Sequence, residues 1–219
     1  MAVSEPTWKK FNELVRLVQQ DHQKQRAVCA AGHDFEHAFA VAQYAKSIAE
    51  DDRIGELGWI AGVCHNTDRI FPDASETEVR AKVSEYLSVV PLDENEKTLV
   101  LEAVMEHSKK NDPKDNPVTV ALKDADQIEN ISALAFIRSG QHFHDLQPVD
   151  YRYLWENPDA TFKNPLSVAR DLRHHLEWES WLRTPKAREI AAPRFEFLRL
   201  FLSKIEKELK DAGLFPYPF

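Results

Sequence analysis

From Phe11 onward the apolar residues of this chain recur at the spacing of a helix and form no useful run of strand-like alternation. Phe11, Leu14, Val15 and Val18 share one stripe, on a segment expected to be helical as far as Gln25. Phe35, Ala38, Val41, Ala42, Ala45 and Ile48 repeat the pattern after Gly32. Ile54 to Ile70 is apolar nearly all round, which predicts one central buried helix. Ser75 with Glu78 and Asp93 with Glu96 have the spacing of capping boxes. The first would open a helix through Val89, stopped before Pro91, and the second a helix ending near His107 to Lys109. Asn116-Pro117 opens another, and Thr184-Pro185 opens a long last one. That last helix carries a stripe of Ile190, Ala191, Phe195, Leu198, Leu202, Ile205 and Leu209, with Pro193 expected to kink it and Gly213 to end it. Gln141 to Pro165, rich in aromatics and prolines, reads as short helices and loops. The fold class is therefore all-α, a helical bundle. At 219 residues a single domain is expected over 1–219, with a core at about 25–140 and a C-terminal helical extension at about 160–212.

Charge and composition exclude several functions. The chain carries a formal net charge of −8 and lacks the basic stripe that duplex nucleic acid requires, so DNA or RNA duplexes are not expected partners. No apolar run approaches membrane-spanning length, and Met1 to Lys10 has no apolar centre of the kind a signal peptide needs. Cys29 and Cys64 are too few for a disulfide framework, which fits reduced thiols in a cytoplasmic protein. With only 6 glycines there is neither a dinucleotide fingerprint nor a phosphate loop.

Three segments that read as helices each deliver one imidazole or carboxylate. His37 closes Gly32-His33-Asp34-Phe35-Glu36-His37, His65 opens His65-Asn66-Thr67-Asp68-Arg69, and Asp126 ends Lys123-Asp124-Ala125-Asp126. Nitrogen and oxygen donors on neighbouring helices suit one divalent metal such as Mn, Fe, Ni, Zn or Mg. Taken alone, each residue has a plainer reading, since an isolated histidine is usually a cap and an isolated aspartate is usually solvated. The sequence around them alters that balance. His65 follows the apolar run Trp59 to Cys64, and Asp126 follows Leu122 and Ala125, so both belong to segments that bury polar groups only with a partner. Asp34 reads as a helix N-cap.

On these motifs, in this order, the chain resembles the HD-domain superfamily of metal-dependent phosphohydrolases, in particular its bacterial branch with Gly-His-Asp-x-x-His and Asp-Ala-Asp segments. His174-His175, Leu182-Arg183-Thr184, Ala187 to Ala191 and Arg194 extend the likeness, so that it covers roughly residues 25–210. The resemblance implies an HD-like helical bundle holding one divalent metal on His37, His65, Asn66 and Asp126. It implies hydrolysis of a phosphorylated small molecule or nucleotide, with His107 near the metal or substrate. The alternative is a degenerate domain that binds a nucleotide or a protein partner without turnover. Two positions depart from the family pattern: Asn66 stands where the family has an aspartate, and Ala40 stands where relatives often carry an arginine. Asparagine can ligate through its carbonyl oxygen but brings no charge and no basicity. Asp68, on the same face as His65 if the helix continues, could ligate or serve as general base, or could merely pair with Arg69. Asp68 and His107 are thus the expected proton carriers, and His33, Arg69 and Lys123 the expected substrate contacts. The sequence leaves room for a homo-oligomer.

Overall fold

The computed structural model describes residues 6–25 and 32–219, and every regular element among them is helical. Cys29 lies outside the described residues. In chain order the helices are α1 (Thr7–Lys10), α2 (Asn12–Lys24), α3 (Phe35–Ile48), α4 (Asp52–Cys64), α5 (Thr67–Ile70) and α6 (Glu76–Leu87). There follow α7 (Glu94–Glu106), α8 (Pro117–Asn130), α9 (Ala133–His142), α10 (Val168–His174), a 3-10 turn at His175–Ser180, and α11 (Pro185–Asp211).

Capping chemistry sets most of these starts. Ser75 and Asp93 form complete capping boxes with Glu78 and Glu96. Asn116 accepts from the Thr119 amide ahead of Pro117, and Thr184 accepts from Ala187 ahead of Pro185. Helix α11 runs continuously through Pro193 and ends at Gly213, whose φ of +69° suits a residue without Cβ. Between α9 and α10 the chain forms turns and one isolated bridge, Thr161 with Asn164; of the short helices and loops expected over Gln141 to Pro165, the loops are present and the short helices are not, apart from Gln141 and His142 at the end of α9.

One expectation is corrected. The apolar run from Ile54 to Ile70 is two helices, because the backbone breaks at His65 and Asn66. Side chains there compete for the carbonyls a continuing helix would use: Thr67 Oγ1 donates to Cys64 O at 2.6 Å, and His65 Nδ1 lies 2.7 Å from Gly62 O.

The core is built mainly where α3, α4 and α8 pack on one another, with α7 closing against α4 and α8. Trp59, Ile60 and Val63 of α4 are fully buried there, as is Cys64, a free thiol. A smaller apolar cluster of Leu172, Leu198 and Leu202 joins α10 to α11. Arg194 binds the Ile128 carbonyl and the Tyr44 hydroxyl, tying α11 to the end of α8 and to α3. No helix among the described residues is long and apolar enough to cross a membrane.

Closest approach of α3 and α4 falls at Gly62. A Cβ there would sit 2.5 Å from Ala42 Cα and 2.7 Å from Ala42 N, which are backbone atoms that cannot rotate away. Gly62→Ala must therefore push the two helices apart, and it is expected to cost about 1–3 kcal/mol of stability. The check is the urea midpoint at unchanged m-value; a midpoint equal to that of the parent would show that the helices separate without penalty.

Candidate metal centre

Packing α3, α4 and α8 together brings one donor from each region to a common point. His37 lies in the first turn of α3, His65 caps the end of α4, and Asp126 lies in the C-terminal half of α8. One ligand atom from each of the three lies within 4.8 Å of the other two. The His37 Nε2 atom is 3.3 Å from Asp126 Oδ1, and His65 Nε2 is 3.9 Å from the same oxygen. Two donors each about 2.1 Å from one ion, at angles between octahedral and tetrahedral, stand roughly 3.0–3.4 Å apart. The two pairs that include Asp126 are within about half an ångström of that range, whereas the trio as a whole, spread over up to 4.8 Å, would have to draw together further to hold a cation.

Hydrogen bonding supports that fit. Because His65 Nδ1 faces the Gly62 carbonyl, that nitrogen must carry the proton, and Nε2 is left with its lone pair. Among the described residues, His65 Nε2 has no hydrogen-bond partner although it is buried, and neither has either ring nitrogen of His37. Both side chains are only 1% exposed. Two neighbouring imidazoles with unsatisfied buried nitrogens, aimed at one carboxylate, are costly unless something else occupies their lone pairs. Burial pushes the His65 pKa well below its ordinary value, which keeps the ring neutral and able to ligate. Burial works against the charge of Asp126, yet the adjoining His37 and His65 hold its pKa below the usual carboxylate range.

Local structure fixes each donor. The His37 amide donates to Asp34 Oδ1 at 2.7 Å, so Asp34 is the N-cap that starts α3. Asn130 Nδ2 donates to Asp126 Oδ1 at 2.9 Å from one helical turn further along α8. Nothing singled out Asn130 beforehand, although its i+4 spacing from Asp126 is readable. The other acid of the Asp-Ala-Asp segment has a different task. Asp124 is fully buried and accepts from the backbone amides of Arg183 and Thr184, anchoring the start of α11.

The remaining expected site residues fall into distinct places. Asn66 is 1% exposed beside His65, and its buried Nδ2 has no partner among the described residues. Asp68 does not share a continuing helix with His65, yet both line one cavity of about 40 Å³ together with Val79 and His107. That is room for about one water molecule. Asp68 is paired with Arg69 at 3.5 Å through Oδ2, while its buried Oδ1 has no hydrogen bond among the described residues. His107 Nδ1 lies 2.6 Å from Val104 O, leaving its Nε2 unprotonated in the neutral ring, and its ring centroid is 5.2 Å from that of His65. His33 stacks edge-on to His37 at 5.9 Å, and burial above all, aided by His37 and nearby Arg69, pushes its pKa down to about 3. His142, at the end of α9, stands 5.9 Å beyond His33. No spacing rule connects it to the others.

Lys123 must be withdrawn as a substrate contact. Its side chain is 2% exposed, and its ammonium donates to Asp115 at 2.8 Å and to the Lys110 carbonyl at 3.0 Å. Arg183 binds the same Asp115 carboxylate at 2.7 Å. A lysine one turn before a ligand on a helix can project along the helix toward its N-terminal end, and here it does.

The fold matches several solved structures. An HD-superfamily hydrolase from Bacillus thuringiensis superposes with a TM-score of 0.67 at 18% identity, covering 94% of this chain and 99% of that one. A protein from Lactobacillus plantarum gives 0.71 at 15% identity over 96% and 100%. Bacillus subtilis YpgQ in complex with ADP gives 0.67 at 21% identity over 92% and 96%. The chain shares their fold. No family model matches its sequence, and neither does any curated protein. At these identities the likeness establishes the helical architecture, and activity has to be argued from the site.

Proposed function

We propose that the chain is a metal-dependent phosphohydrolase that acts on a phosphorylated small molecule or nucleotide. The observation that carries this reading is the convergence of His37 and His65, with orphaned buried nitrogens, on the Asp126 carboxylate. Those three residues would hold the divalent cation, with Asn66 contributing a neutral oxygen at most. Such an ion supplies Lewis acidity toward a phosphoryl oxygen and lowers the pKa of water. The protein's own groups do the rest. Asp68 Oδ1 and His107 Nε2 border the small cavity beside His65, where either can take a proton from an attacking water. Arg69, exposed at the rim, and His33 would meet the substrate phosphate. The ADP bound to YpgQ, a protein of the same fold, supports a nucleotide among the substrates to be tried.

The non-catalytic reading is favoured by two departures from the family pattern, the asparagine at position 66 and the alanine at position 40. Metal analysis of the purified chain, followed by phosphate release from nucleotides and sugar phosphates with and without added Mn, separates the two. Stoichiometric metal with turnover supports the enzyme. A metal-free protein that stays inactive across the panel removes it.

A further inference from the structure

The three proposed ligands are not held equally well. The His65 ring is fixed by its bond to the Gly62 carbonyl, and the Asp126 carboxylate by the Asn130 amide. Neither ring nitrogen of His37 has a hydrogen-bond partner among the described residues. Where its imidazole stands therefore depends on where the first turn of α3 is placed. Asp34 starts that turn, accepting the His37 amide on Oδ1.

Asp34 meets a residue from another helix. Arg138 of α9 directs Nη2 toward the same Oδ1 at 3.9 Å, while its Nη1 binds Glu129 Oε1. Glu129 is buried on the last turn of α8, beside Asn130 and three residues after Asp126. The backbone is close there as well. Gly32, at a φ of +90°, passes α9 so near that a Cβ on it would lie 3.5 Å from Arg138 Cβ. One turn further along α9, the His142 ring meets that of His33.

We infer that Arg138 is a positioning residue for the metal centre: its forked guanidinium ties the capping carboxylate of α3 to the end of α8 and so holds His37 at its distance from Asp126. The inference rests on the reading of His37, His65 and Asp126 as ligands. Two nitrogens in one rigid plane reach two carboxylates at once, which a single ammonium cannot do. The halves of the fork have different tasks. Glu129 is buried, so its pairing bears on stability, and losing the cation would strand a charge in the interior. The Asp34 side chain is half exposed, so its pairing adds little to folding. What that second contact fixes is the placement of a ligand. Groups that orient ligands from behind typically alter metal affinity by about 10–100-fold.

Arg138→Lys and Asp34→Asn test this without stranding Glu129. Lysine keeps a cation for Glu129 but does not fork, and asparagine caps a helix as well as aspartate does while lacking its charge. Each variant should keep a urea midpoint close to that of the parent. Each should bind Mn about 10-fold more weakly in a calorimetric titration, and exchange its His37 amide about 10-fold faster. The Glu96 amide, capped by Asp93 at the start of α7, is the internal reference and should not change. The double variant should be no worse than either single one, because both changes break the same contact. Parent-like Mn affinity in both single variants overturns the inference, and so does a double variant in which the two losses add. Amide exchange needs no metal. A parent that binds no Mn overturns the metal-centre reading, and the exchange rates then still decide whether Arg138 holds His37.

Discussion

His65→Ala yields a folded protein that retains no stoichiometric divalent metal and releases phosphate roughly 1,000-fold more slowly than its parent. The magnitude follows from what the residue holds. A ligating imidazole positions a cation worth several kcal/mol to a phosphoryl-transfer barrier, and about 4 kcal/mol is three powers of ten in rate. The loss should be specific to binding and turnover. His65 ends α4 rather than sitting inside it, and among the described residues the one hydrogen bond of its ring runs from Nδ1 to the Gly62 carbonyl. Replacing it leaves a small cavity and one unpaired carbonyl, for a cost of about 1–3 kcal/mol that circular dichroism and a urea titration would register separately. Metal content by elemental analysis is the decisive measurement. If the alanine variant keeps full metal occupancy and full turnover, the centre lies elsewhere in the molecule.

Much of the architecture was legible because capping is local chemistry. Ser75 with Glu78, Asp93 with Glu96, and Asn116 and Thr184 ahead of prolines mark helix starts without reference to any distant residue. His65 and Asp126 were legible for a related reason, since each follows an otherwise buried apolar segment, whereas His37 was legible only through its Gly-His-Asp-x-x-His motif. The break at His65 and Asn66 was hidden. Hydrophobic periodicity persists across it, and only the competition of the Thr67 hydroxyl and the His65 ring for backbone carbonyls stops the helix. Lys123 misled because position along a helix fixes where a side chain starts, not where a long one ends. Its partner, Asp115, comes from the loop ahead of α8 and is shared with Arg183 from beyond the 3-10 turn. His142 was unreadable for a third reason: its closeness to His33 is set by how α9 docks, a tertiary outcome with no sequence period.

Asn66→Asp is expected to move metal binding and apo stability in opposite directions. Position 66 is 1% exposed, immediately after His65, and its side-chain amide nitrogen has no partner among the described residues. A carboxylate placed there without a cation is a buried, uncompensated charge, on the order of 3 kcal/mol unfavourable. The metal-free variant should therefore unfold earlier than the parent. Adding Mn supplies the missing counter-charge. A second anionic oxygen beside Asp126 should raise affinity about 100-fold, some 2.7 kcal/mol, and shift the thermal midpoint upward more steeply with metal concentration than in the parent. Calorimetric titration and thermal melts at several Mn concentrations read the two effects independently of turnover. Turnover then distinguishes the functional readings. Hydrolysis that appears only in the aspartate variant marks the natural chain as a binding domain whose chemistry was lost at this residue. Hydrolysis already present in the parent, and raised little by the change, shows that His37, His65 and Asp126 suffice with a neutral neighbour. A variant that unfolds earlier yet binds Mn no more tightly would mean that the side chain at 66 does not face the ion at all.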